Sequence, residues 1–173
     1  MNLLEIMKNR RSIRRFRSDS VPDKYIKGLI EAASSAPSAG NIQPWEFIII
    51  RSNGLKESLA KAAYGQGFIV EAPIVIVVCA NEAVSSRLYG DRGRDLYCIQ
   101  DTAAAIQNLL LYASSEGLGS CWIGAFREAE VKKVLYLPTF VRPIAIIPLG
   151  YPAESPERPL RKPISEITHF ERY

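Results

Sequence analysis

The chain has 173 residues, 47% hydrophobic and 23% charged, with a formal net charge of +4, a balance that argues against a disordered or fibrous protein and fits one globular domain over residues 1–173. The longest apolar run, Pro73–Ala80, is far short of the ~20 residues of a membrane span. A lone histidine, His169, and the lack of a CxxC pair argue against a protein-held zinc or non-haem iron centre, while three scattered cysteines, Cys79, Cys98 and Cys121, indicate no disulfide framework and suit a reducing cytoplasm.

In chain order, Leu3, Ile6 and Met7 predict a first helix over Leu3–Asn9. Ser20-x-x-Asp23 has the form of a capping box, Pro22 suits a first turn, and Ile26, Leu29, Ile30 and Ala33 make the stripe of a second helix that ends before Pro37. Trp45–Arg51 reads as a strand and Leu55–Ala63 as a helix. Pro73–Ala80 shows no alternation, as expected of a strand covered on both faces. Tyr89 and Tyr97 flank Gly90-Asp-Arg-Gly93, a segment that reads as a solvated loop or the rim of a substrate mouth. Asp95–Glu116 is the longest periodic segment, with Leu96, Ile99, Ala103, Ile106, Leu110 and Ala113 as its predicted buried stripe and Gly117 as its cap; 22 residues would span about 33 Å. A short strand is expected at Ser120–Ile123, a short helix at Glu128–Leu135, and a further strand at Arg142–Leu149, whose two prolines suggest a sheet edge or irregular ends. The tail beyond Gly150 carries four prolines yet ends with Ile164, Ile167, Phe170 and Tyr173, and so should cover a surface, its own or a partner subunit's.

The positive charge is local. Residues 1–20 hold six bases (Lys8, Arg10, Arg11, Arg14, Arg15, Arg17) against Glu5 and Asp19, so the other residues sum to zero. Four readings compete: a presequence, a nucleic-acid-binding arm over residues 8–17 with Phe16 interleaved, a solvated helix end, and a small-phosphate site in which Arg10, Arg11 and Arg14 surround the Ser12 hydroxyl. The loop Pro37-Ser-Ala-Gly-Asn-Ile-Gln-Pro-Trp45 is either a polar helix-to-strand connection or a reader of a planar heterocycle, with Ser38, Asn41 and Gln43 as its polar groups. No GxGxxG follows a predicted strand, which argues against a resident dinucleotide. Cys121 with His169 lacks the third group of a nucleophilic site, and Trp45 and Trp122 read either as core residues or as stacking platforms.

Arg10-Arg11-Ser12-Ile13-Arg14, then Pro37–Trp45, Glu71-Ala-Pro73, Asp101-Thr-Ala-Ala-Ala-Ile-Gln107, Gly117-Leu-Gly-Ser-Cys-Trp-Ile-Gly124, Gly150-Tyr-Pro152 and Arg161-Lys-Pro163 together resemble the FMN-dependent nitroreductase family over essentially the whole chain. The resemblance implies an α+β fold, with a central mixed or mainly antiparallel sheet flanked by helices, and an intertwined homodimer whose C-terminal tail wraps the partner. It implies FMN as cofactor, its phosphate and ribityl chain held by Arg10, Arg11, Ser12, Arg14 and Arg161. The isoalloxazine would be lined by Pro37, Ser38, Ala39, Asn41 and Gln43 of the other subunit and by Trp122, Ile123 and Gly124, with Gln66 nearby. The activity implied is ping-pong hydride transfer from NAD(P)H to a small acceptor such as a nitroaromatic, a quinone or a flavin. Hydride chemistry belongs to the cofactor, so no catalytic side chain is required and no metal, nucleic acid or membrane partner is expected. A nucleic-acid-binding module or a flavin-binding protein without turnover are the alternatives.

Overall fold

The computed structural model describes residues 2–173. Its order is α1 (Leu3–Asn9), α2 (Asp23–Ser34), β1 (Trp45–Ile50), α3 (Asn53–Ala62), α4 (Phe68–Glu71), β2 (Ile74–Asn81), α5 (Glu82–Arg92), a π-helical segment (Gly93–Tyr97), α6 (Cys98–Ser115), β3 (Gly119–Ser120), α7 (Glu128–Val134) and β4 (Val141–Gly150). The four strands pair in the order β1-β2-β4-β3, all antiparallel, with one parallel bridge, Ser12 to Ser120, at the margin. The fold is therefore α+β with an antiparallel sheet.

The missing alternation in β2 has a direct cause. Val75, Val77 and Cys79 face a core built with Leu59, Ile69 and Val131 from α3, α4 and α7. Ile74, Ile76 and Val78 face a second core made with Leu29 of α2 and Ala105, Ile106 and Leu109 of α6. Helices cover both faces, so every position from Ile74 to Ala80 is apolar and buried.

Four expectations change. β4 lies inside the sheet, not at its edge: the Pro148 carbonyl accepts from Cys121 N, so its missing N–H faces the two-residue β3 and costs the long β2 ladder nothing, while Pro143 adjoins the register shift between Val78 and Cys79. The capping box at Ser20 does not form; Pro22 is the N-cap of α2 and no side chain bonds there. The segment around Tyr89 and Tyr97 is helical, broken at Gly90 (φ 54°, ψ −142°) and continued as the π segment. That segment also resets the phase of α6, which has 18 residues and buries Cys98, Asp101, Thr102, Ala105, Ile106, Leu109, Leu110 and Ala113, whereas Leu96, Ile99 and Ala103 are only half-buried.

Candidate functional site

The first half of the site lies where β2 begins and β4 ends. Residues 10–17 run alongside β3 and the strand end: Ile13 N donates to Ser120 O, Ser12 bridges Ser120, and Phe16 bridges Pro152. Ile13 and Phe16 are buried in the core, so the segment is anchored and its one aromatic is withdrawn from solvent. This opposes the reading of residues 8–17 as a nucleic-acid arm, which needs exposed aromatics.

Anchoring of the segment brings Arg10, Arg11, Ser12 and Arg14 around a recess of about 260 Å³, closed on the tail side by Pro156, Glu157 and Pro159. Burial holds the Arg10 guanidinium below its ordinary pKa, and the positive charges of Arg161 and Arg11 push it further in that direction. Arg161, far off in sequence, thus belongs to the cluster. Arg11 donates to Lys8 O at 2.7 Å and to Arg10 O at 3.1 Å, and its buried Nε has no partner. Arg14 N is held by the Glu154 carboxylate, and its guanidinium lies 6.0 Å from the centre of the Phe68 ring. Elsewhere Arg17, Arg51, Arg94, Arg127 and Arg142 pair with carboxylates, whereas Arg15, Arg87, Arg92, Arg158 and Arg172 stand singly without one among the described residues. Among the described residues none of the guanidinium groups of Arg10, Arg11, Arg14 and Arg161 pairs with a carboxylate either. Guanidinium groups gathered in this way, with Arg10 and Arg11 half-buried and Glu157 the acid at the rim, have the chemistry to pair with an anion.

The turn after β3 joins this half. Ile123 exchanges both backbone hydrogen bonds with Ile146 and buries its side chain, while Trp122 and Gly124 face solvent. Trp122 is therefore an exposed ring, and Trp45 is the core residue. Gln66 gives its amide N–H groups to Ala63 O (3.0 Å) and Ala125 O (3.2 Å), which fixes the turn to the end of α3. Cys121 lies beneath the arginines; burial pushes its thiol up against the opposing pull of Arg14, Ser12 and Arg10. His169 stacks on Tyr173 in the exposed tail, its ring 4.4 Å away.

The second half lies at the other end of the sheet. Pro44 O accepts from Asn81 N, so the loop before β1 sits where β2 ends. Gly40 (φ 57°), Asn41 (φ 55°) and Gln43 (φ 55°) are left-handed, at a cost on the order of 1 kcal/mol for each of the two with side chains. The Ser38 hydroxyl accepts from Gln43 N at 3.0 Å, Gln43 Nε2 reaches Asn41 at 3.3 Å, and Ala39 N donates to Asp101 Oδ1 at 3.1 Å. Asp101 is buried, its Oδ2 has no partner, and desolvation raises its carboxyl above the usual range against the opposing bond from Ala39. A Cβ on Gly40 would lie 2.7 Å from Tyr89 Oη, so α5 closes over the loop.

Within one chain the structure does not bring the two halves together. β2, which runs from the arginine end to the loop end, has eight residues, about 24 Å at ~3.4 Å per step, and the turn at Ile123, bridged to Ile146 opposite Val77, lies near its middle. Asp101 was the residue missed by sequence reasoning. The stripe beginning at Leu96 turns it away from the core; a stripe started at Cys98, after the glycine pair, would have shown a lone acid on the buried face.

The model of the nitroreductase family matches residues 7–67 and 56–151. An NADH dehydrogenase of Thermus thermophilus is 34% identical over 185 residues, covering 91% of this chain and 90% of that protein. An oxygen-insensitive NADPH nitroreductase of Salmonella typhimurium is 32% identical over 177 residues, covering 98% and 74%. The solved structure of the NADPH:FMN oxidoreductase from Vibrio harveyi complexed with NAD+ superposes with a TM-score of 0.92 at 27% identity, over 100% of this chain and 78% of that one.

Proposed function

This chain belongs to the nitroreductase family of flavin-using, NAD(P)H-dependent oxidoreductases, and from that premise we propose that it is an FMN enzyme whose site is completed by a second copy of the chain. The observation that carries the proposal is the convergence of Arg10, Arg11 and Arg14 on one recess, with Arg161 beside Arg10 and no guanidinium of the four paired with a carboxylate. FMN brings a phosphate of about two negative charges, and Arg10, Arg11 and Arg161, already pushing on one another, would be relieved by it. The donor set therefore fits the group, and the Ser12 hydroxyl adds a neutral donor beside it.

When bound, FMN would supply the hydride chemistry of a ping-pong reaction between NAD(P)H and a small acceptor such as a nitroaromatic, a quinone or a flavin. The chain's own residues hold and orient. Arg10, Arg11, Arg14 and Arg161 would hold the phosphate, and the turn of Trp122, Ile123 and Gly124, fastened by Gln66, would hold the ring from one side. Pro37, Ser38, Ala39, Asn41 and Gln43 of the second copy would line the other side, since their own chain holds them a sheet's length from its own arginines. The tail fits this assembly: Leu160, Ile164, Ile167, Phe170 and Tyr173 are all more than 60% exposed, an apolar series that a partner subunit would cover.

The test is to load the purified protein with FMN, desalt it, and add NADH without oxygen. Retained visible flavin bands that bleach support the proposal. Retained bands that stay coloured would make the chain a flavin binder without turnover, and a protein that keeps no flavin would contradict the reading.

A further inference from the structure

We infer that Asp101 is the positioning residue of the loop Ser38–Gln43, holding by its bond to Ala39 N–H the backbone that lines the flavin ring; the inference rests on the functional reading above. Asp101 sits in the first turn of α6 and is 91% buried, which leaves it 9% exposed. One oxygen accepts from Ala39 N, and the other is shielded from solvent with no hydrogen-bond partner. Among the described residues no other hydrogen bond joins residues 37–43 to the rest of the chain. Everything else in the loop is internal, and it is bent through three left-handed residues. Such a loop does not hold its shape unaided. The single external hydrogen bond of residues 37–43 is to a carboxylate, the stronger kind of acceptor for a backbone N–H.

Among the described residues no cation pairs with the carboxylate. The titratable neighbour that feels it is Cys98, one turn earlier, whose thiol is pushed up to about 11 by burial first and then by Glu82 and Asp101. A buried carboxylate retained without a cation at the base of a strained loop points to the loop's position as what it serves. The competing role is electrostatic, an acid in a helix's first turn interacting with the helix dipole. The two separate cleanly, because asparagine keeps an acceptor for Ala39 but not the charge.

The experiment compares wild type, Asp101→Asn and Asp101→Ala as full chains. FMN affinity is read by fluorescence titration, and amide hydrogen exchange of peptides covering residues 37–45 is read in the flavin-free protein. For Asp101→Ala we expect fast exchange in that segment and FMN binding weakened about tenfold, the scale of one lost charge-assisted hydrogen bond. For Asp101→Asn we expect near-native exchange and affinity within about threefold, since a neutral acceptor remains. Asp101→Ala that binds FMN as wild type does, or Asp101→Asn that is as impaired as Asp101→Ala, would overturn the inference. A wild type that fails to bind FMN would instead refute the functional reading, and the role of Asp101 toward flavin would fall with it.

Discussion

At one end of the sheet four guanidinium groups stand without carboxylates; at the other a neutral loop is bent through three left-handed residues and tied down by one buried acid. In the proposed function the first end would recognise by charge, and its parts come from sequence neighbours, with Arg161 added from the tail. The second would recognise by shape, and its parts come from residues 37–43, Tyr89 and Asp101. Charge recognition tolerates flexible side chains, because guanidinium forks find a phosphate from several rotamers. Shape recognition needs the backbone fixed in advance. The two ends should therefore fail differently when altered.

The largest effect is expected at the charged end. Arg10→Ala with Arg14→Ala removes two charge-assisted contacts of ~1.5–3 kcal/mol each and should weaken FMN binding by about 100-fold or more; Arg94→Ala, at an arginine already paired with Asp91 and Asp95, should leave the affinity unchanged. Equal losses in both proteins, read by fluorescence titration, would mean that the unpaired arginines are not special.

Next is the assembly that brings the two ends together. Ile164→Asp with Phe170→Asp should turn a dimer into a monomer by sedimentation and abolish flavin retention with both ends intact. A monomeric wild type, or a variant that stays dimeric, would break this part of the comparison.

Backbone crowding sharpens the contrast at smaller scale. A Cβ on Gly119 would meet three Ile13 atoms at 2.9 Å, so Gly119→Ala should cost ~1–3 kcal/mol in denaturant unfolding by pushing the arginine segment off β3. Gly40→Ala forces a left-handed alanine at about 1–2 kcal/mol and should disturb flavin binding at the loop end while the arginine segment stays in place.

The smallest effect is the pH dependence of Asp101. Burial raises its carboxyl in the folded chain above the ~3.9 of an unfolded one, so the native state holds the proton longer. Stability falls as pH rises between those two values, and the loss is complete above the higher one. The amide of the Asp101→Asn variant cannot ionise, so its unfolding midpoint relative to wild type should move in favour of the variant from pH 4 to pH 7. A constant difference would mean that Asp101 does not titrate in that range.

Legibility followed the same division. The cluster Arg10–Arg14 could be read directly, because charge needs no phase, and Pro73–Ala80 announced a strand covered on both faces. The arrangement at the loop end could not. Helical periodicity depends on where a helix starts, and the π segment Gly93–Tyr97 moved that start past Leu96, hiding Asp101 on a face taken to be outside. Gly90 and Gly93 among charged residues imitate a loop, although the backbone there is helical. Proline at 143 and 148 suggested an edge because sequence does not show which side of a strand a missing N–H will face. The distance between the two ends is a property of the sheet, and no local pattern carries it.

The central claim, that each site takes its arginines from one copy and its loop from another, is tested most directly by complementation. Arg10→Ala/Arg14→Ala protein and Ala39→Trp protein should each retain no FMN through desalting alone. Unfolded together and refolded as an equal mixture, they should recover roughly a quarter of wild-type sites, because half the dimers are mixed and each holds one intact site. No recovery, with mixed dimers present, would contradict the account.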